Sequence, residues 1–210
     1  MKKIKIISGL FWIVFAFNNC ETDKKDNNML LAGLVIAATS NCFSVPSQVV
    51  VSDGNSSTVK TFNCTVSGNV YTCVPADGGN SVVRTYTSQA AAKLSVVDPP
   101  SFSNQHVQRG LAKRVEGTTE TTFTYNSSNQ LQSVSPSTTY SNYDDKGFPK
   151  SNSAGGTITY TYEGSRTIPT TVNDGVFTYT YDSRGWVTKV DMGFGSPTTV
   201  ANHGSLGICQ

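Results

Sequence analysis

Apolar and polar residues alternate most regularly in Phe177-Thr-Tyr-Thr-Tyr181. Phe177, Tyr179 and Tyr181 fall on one face and Thr178 and Thr180 on the other, the period-2 pattern of a half-buried strand. Asp182 and Gly185 then take the first and fourth places of a turn, where Asp accepts a local backbone hydrogen bond and Gly tolerates a positive φ. Trp186, Val187 and Val190 restart a strand with good β formers.

The pattern recurs. Tyr125, Tyr143, Tyr162 and Tyr181 are spaced 18, 19 and 19 residues apart, a period that marks a repeat array. A further step back of 19 lands on His106, beside which Arg109-Gly110-Leu111-Ala-Lys-Arg114-Val115 echoes Arg184-Gly185-Trp186-Val-Thr-Lys189-Val190. Another step of 20 reaches Tyr86, whose turn has become Gln89-Ala-Ala-Ala92. Tyr143-Asp144-Asp-Lys-Gly147 keeps the turn chemistry, and Asn129 stands where a left-handed residue is wanted, Asn being the next best after Gly. Second turns at Ser135-Pro136-Ser137, Ala154-Gly155-Gly156 and Asn173-Asp174-Gly175 make each repeat a hairpin feeding the next. The sequence therefore predicts an all-β protein, an antiparallel meander of hairpin repeats forming a curved or barrel-like sheet. Phe123, Tyr125, Ile158, Tyr160, Tyr162, Phe177, Tyr179 and Tyr181 form its core face, and the Thr-rich face is wet.

The Tyr181-Asp182-x-x-Gly185 signature, with Val187 in the following apolar place, resembles the YD (RHS) repeat; Trp186 stands where the repeat usually has Arg. The resemblance implies a β-shell, which long arrays curl around a cargo. Some six worn copies are too few to enclose one. Residues 43–80 and the apolar segment near residue 30 are expected to cover the aromatic face instead. Gly110, Asp144, Gly147, Asp182 and Gly185 are read as turn formers, and Asp144 and Asp182 as such rather than as catalytic carboxylates.

Upstream, Cys64-Thr-Val-Ser67-Gly68-Asn69-Val70-Tyr-Thr-Cys73 reads as a hairpin with a two-residue Gly-Asn loop. Counting outward, Ser67 pairs with Val70, Val66 with Tyr71, and Cys64 with Cys73 in a non-hydrogen-bonded pair, close enough for a disulfide. Cys42 and Cys209 are left to each other. Strands are also expected at Gln48 to Ser52 and from Val59 onward. The spacing of the cysteines does not suit zinc, and His106 and His203 stand in no metal-ligand pattern. Neither a metal nor a cofactor is implied.

The N-terminus carries Lys2, Lys3 and Lys5 before an apolar run from Ile6 to Phe17 that is too short to span a bilayer. With Cys20 behind it, this leader resembles a bacterial lipoprotein signal, which implies a diacylated Cys20; Phe17-Asn18-Asn19 departs from the small residues usual before that Cys. The alternative is a cleaved secretory signal. Residues 1–19 are thus the leader and 20–28 a charged flexible tether. Residues 29–80 hold an apolar segment and the disulfide hairpin, 81–192 the repeat array, and 193–210 a Gly-rich irregular tail. Met29 to Ala38 is a short helix or the end of a longer leader.

Charged residues are only 14% of the 210, and Ser and Thr together about a quarter, a balance that favours strand-rich extracytoplasmic architecture. Removing the leader moves the net charge from +2 to about −1, and no basic patch remains for nucleic acid. No Gly-x-Ser-x-Gly elbow and no phosphate-cradling Gly loop is present. The sequence points to a protein of the bacterial cell envelope, lipid-anchored at the outer membrane or cell surface, or secreted if not lipidated. It would act as a binding or structural module for an unknown protein or glycan. The alternatives are a periplasmic or surface hydrolase and a remnant of a larger RHS system without independent activity.

Overall fold

The computed structural model describes residues 42–87 and 95–208. Within them the chain is all-β, with one short 3-10 helix at Gln105–Val107 and no α-helix. In chain order the strands are β1 (Phe43–Val45), β2 (Gln48–Ser52), β3 (Val59–Ser67), β4 (Val70–Pro75) and β5 (Val82–Tyr86). They continue with β6 (Leu111–Glu116), β7 (Thr119–Tyr125), β8 (Leu131–Val134), β9 (Thr138–Tyr143) and β10 (Pro149–Asn152). The last six are β11 (Thr159–Thr161), β12 (Thr171–Asn173), β13 (Thr178–Tyr181), β14 (Val187–Asp191), β15 (Thr198–His203) and β16 (Leu206–Ile208).

Fourteen of these form one antiparallel sheet in the order β10-β9-β8-β7-β6-β5-β4-β3-β2-β15-β14-β13-β12-β11. Its edges, β10 and β11, follow each other in the chain, and a bridge between Ser151 and Thr157 brings them together. The sheet is therefore nearly closed, with a barrel-like curve. Beta1 and β16 form a separate two-stranded sheet, Phe43 opposite Ile208.

Alternation along each strand sets the inner face. Val49 and Val51 of β2, Phe62 and Cys64 of β3, and Tyr71 and Cys73 of β4 are buried, as are Phe123, Ile158, Tyr179 and Tyr181. Tyr125, Tyr160, Tyr162 and Phe177 pack against that core from partly buried positions. The aromatic face is the core face, as its period-2 pattern requires, while Thr122, Thr124, Thr159 and Thr161 are exposed. Ser67 faces Val70, Val66 faces Tyr71 and Cys64 faces Cys73. The Cys64–Cys73 disulfide joins that last pair across 4.1 Å between Cα atoms.

Three expectations need correction. First, residues 48–80 do not cover the aromatic face; their strands β2, β3 and β4 belong to the same sheet, and what lies against the inner face is the stretch from Ser95 to Gly110, mostly buried. Second, His106 anchors no hairpin. It lies in the 3-10 helix of that inserted stretch, which separates the paired strands β5 and β6. The step of 19 matched the length of the insertion rather than a repeat. Third, the tail is not irregular: β15 joins β14 to β2 and so connects the two ends of the chain through the sheet. Residues 1–41, the Gln89-Ala-Ala-Ala92 turn and Cys209 lie outside the described residues.

Candidate functional site

Four hairpin turns share one bond pattern, headed by Asn126, Asp144, Asn152 and Asp182. In the last, the Asp182 N–H donates to the Trp186 carbonyl at 2.9 Å and the Gly185 N–H donates to the Asp182 carbonyl at 3.0 Å. Asp182 Oδ1 also accepts from the N–H groups of Arg184 and Trp186. Asp144 repeats this with Lys146 and Phe148, Asn126 with Ser128 and Gln130, and Asn152 with Ala154 and Gly156. The fourth residue has positive φ each time: Asn129, Gly147, Gly155 and Gly185. One side-chain oxygen thus satisfies two backbone donors that the turn would otherwise leave unpaired.

Gly110 also has positive φ, at 67°, but it does not hold the place of Gly185. The Thr87 N–H donates to the Gly110 carbonyl as the Asp182 N–H does to Trp186. Tyr86 pairs with Leu111 as Tyr181 pairs with Val187. The sequence echo is out of step by one residue, and the hairpin it marks begins at Tyr86, interrupted by the inserted stretch.

The carboxylates of these turns are fully committed. Asp182 Oδ2 accepts from Arg184 Nε and Nη2, and that guanidinium lies 3.5 Å from the Trp186 ring centroid. Asp144 Oδ2 accepts the Tyr162 hydroxyl at 2.5 Å. Tyrosine hydroxyls then tie each hairpin to the one before it. Tyr125 donates to the carbonyl of Leu111, Tyr143 to that of Leu131 and Tyr160 to that of Pro149, each the first residue of the preceding upward strand.

The turns bring the inserted stretch into register. Val97 bridges Trp186 in parallel, and the Val97 N–H donates to the Gly185 carbonyl. Arg109 donates to the Lys146 carbonyl and stacks 4.4 Å from the centroid of Phe148. Gly185 and Gly147 therefore sit against the insertion, within van der Waals reach of Ser95 and Arg109 respectively.

Inside, Val96, Val97 and Val107 of the insertion join the apolar core, and polar groups hold the rest. Asp98 Oδ2 accepts from the Asn104 N–H and from Gln108 Nε2, both at 2.8 Å. Asn104 Nδ2 donates to the Tyr181 hydroxyl, Arg84 donates to the Pro99 carbonyl and Arg114 to that of Pro100. His106 Nδ1 lies 3.0 Å from the Tyr140 hydroxyl and its Nε2 3.7 Å from Asp174. Burial pushes the Asp98 carboxyl up to about 7 against the attraction of Arg84, and burial lowers His106 against the pull of Asp174. Of these residues, Asp98, Asn104, Gln108, Arg84 and Tyr140 carry no part of the turn signature. The signal for Arg84 is its place between Val82 and Tyr86 on a core-facing alternation.

Of the cysteines, Cys42 is disulfide-bonded, and its expected partner Cys209 lies outside the described residues, as does Cys20. Among the described residues no three His, Cys, Asp or Glu side chains gather at metal-ligating distance. Compared with protein-family models, curated proteins and solved structures, the chain matches none.

Proposed function

We propose that the protein is an exported, lipid-anchored protein of the bacterial envelope whose plugged YD-like shell serves as a binding or structural module. One observation carries the reading: residues 95–110 of the same chain occupy the inner face of the sheet, so partners meet the outer face and the strand-end loops. The turn carboxylates are committed to backbone and neighbouring side chains, which favours a scaffold over a reacting group. The Cys64–Cys73 disulfide supports an oxidising compartment. Cys20, behind its leader, would hold the shell to a membrane through the 21–28 tether.

Metabolic labelling with a fatty acid tests this. The wild type is expected to carry label in the membrane fraction, and Cys20→Ser to lose label and leave that fraction. Label persisting in Cys20→Ser sinks the anchor, and a folded protein retained in the cytoplasm sinks the export on which the module depends.

A further inference from the structure

The inside of the shell holds a charge that its own side chains do not answer. Along β5, Val82, Arg84 and Tyr86 are buried and Val83 and Thr85 less so, so the strand turns a guanidinium and a hydroxyl inward. The β5–β6 register sets Arg114 opposite Arg84. The insertion crosses both, its Pro99 carbonyl accepting from Arg84 and its Pro100 carbonyl from Arg114. Asp98, the residue before those prolines, is thereby held beside the two guanidiniums and Tyr86. Arg84 and Asp98 are 2% exposed and Tyr86 1%.

Arg114 has Glu116 at 2.8 Å, whereas among the described residues Arg84 has no carboxylate within 4.0 Å. A buried charge without a counter-ion is costly. Arg84 Nη1, Arg114 Nε, the Tyr86 hydroxyl and Asp98 Oδ1 are buried too, and among the described residues none of them meets a hydrogen-bond partner. Native folds seldom leave such groups unanswered. Asp98 Oδ2 already accepts from the Asn104 N–H and Gln108 Nε2, so the proton that this carboxyl keeps up to about pH 7 sits on Oδ1. All four unused groups are then hydrogen donors, gathered around one unanswered positive charge.

We propose that Arg84, Tyr86, Asp98 and Arg114 bind a single monatomic anion of the halide class inside the shell, pinning the insertion to β5 and β6. Donors reach it from both strands and from the insertion. A water molecule would accept from the same hydrogens but leave the Arg84 charge unanswered. A carboxylate or phosphate would bring several oxygens, each needing a partner in a place sealed from solvent. The inference goes beyond the binding-module reading, because the site faces inward and needs neither an outer-face partner nor the anchor.

The test is thermal melting of the full chain as chloride replaces gluconate at fixed ionic strength. The wild-type Tm is expected to rise and saturate, by roughly 5 to 10 °C at a hundredfold excess over Kd. Arg84→Gln removes the charge and Tyr86→Phe only the unused hydroxyl; each should weaken chloride by about tenfold or more. In gluconate Tyr86→Phe should melt with the wild type or above it, since its hydroxyl then has no partner to lose. The chloride effect should also fade from about pH 6 to about pH 8.5, where Asp98 loses its proton and turns a negative charge on the anion. The titratable and charged groups facing Asp98 are Arg84 and Tyr86 of β5, Arg114 of β6, and Tyr179 and Tyr181 of β13. Asp98→Asn, with an amide N–H in place of that proton, should keep the effect at both pH values. A wild-type Tm that does not respond to chloride, the result if only water fills the site, overturns the proposal. So does an equal response in the wild type and Tyr86→Phe, a variant that keeps the ring and its packing and so decides the matter even where Arg84→Gln does not fold.

Discussion

Asn126 and Asn152 make the same paired backbone contacts through Oδ1 that Asp144 and Asp182 make. The charge of the aspartate is therefore not what the turn needs. Asp182→Asn keeps Oδ1 and loses only the fork with Arg184, a half-exposed pair whose worth is at most about 1 kcal/mol. Gly185 is different. At φ 80° an ordinary side chain costs on the order of 1 to 2 kcal/mol, and a Cβ there would also stand 3.2 Å from the Ser95 carbonyl oxygen and from Ile168. Gly147 adds a similar crowding, 2.7 Å from Arg109. Thermal melting should rank Asp182→Asn near the wild type and Gly185→Val and Gly147→Val well below it, by several degrees per variant at about 2 to 4 °C per kcal/mol. A Gly185→Val protein melting with the wild type would remove the positive-φ turn from the account. These turns were legible in the sequence because their chemistry lies within five consecutive residues.

At the scale of elements, the insertion between β5 and β6 was the part that could not be read in advance. Its length imitates the repeat period, and besides the nearby Arg84 and Arg114 it is held by Tyr181, Tyr140 and Lys146, which come from 34 or more residues away along the chain. Its polar character has a measurable consequence. The folded Asp98 carboxyl keeps its proton up to about pH 7, against 3.8 when unperturbed. Between those values the folded state binds more protons than the unfolded one, so this group makes stability fall as pH rises, by at most about 1.4 kcal/mol per pH unit. The charged and titratable groups around it are Arg84, Arg114, Tyr86, Tyr179 and Tyr181. His106 acts in the opposite sense, because burial lowers it and stability then rises with pH up to its ordinary 6.5. The difference between wild type and Asp98→Asn cancels the His106 contribution. An Asn keeps an acceptor for Asn104 and Gln108 and carries no charge. Relative to the wild type, Asp98→Asn should gain stability steadily from pH 5 to pH 7. Parallel denaturant curves across that range would mean that Asp98 is not held protonated in the fold.

For the whole molecule, what needs explaining is how a sheet of fourteen short strands is kept from unzipping. The meander alone would leave two free edges, a hazard for self-association. One remedy is at β10 and β11, where the Ser151–Thr157 bridge and the Tyr160 hydroxyl join the edges, and where Pro149 offers no N–H to a foreign strand. The other lies at the chain ends. Beta15 enters between β14 and β2, and β1 pairs with β16 so that Phe43 meets Ile208. Trp186 Nε1 then donates to the Ser44 carbonyl, fastening that small sheet to an Asx turn. With Cys20 set aside and Cys64 paired with Cys73, the sequence leaves Cys42 and Cys209 to each other; Cys42 is disulfide-bonded and Cys64 and Cys73 are joined together. Only Cys20 and Cys209 remain as its partners. A bridge to Cys209 would close nearly the whole folded chain, worth on the order of 5 kcal/mol on the chain-entropy model, and would leave Cys20 for lipid. A bridge to Cys20 would forbid the lipid. Non-reducing peptide mapping of the exported protein should therefore return Cys42 joined to Cys209, with an acylated N-terminal peptide at Cys20. A Cys20–Cys42 peptide would refute the chain-end clasp and the membrane anchor together, leaving a secreted shell in place of a tethered one.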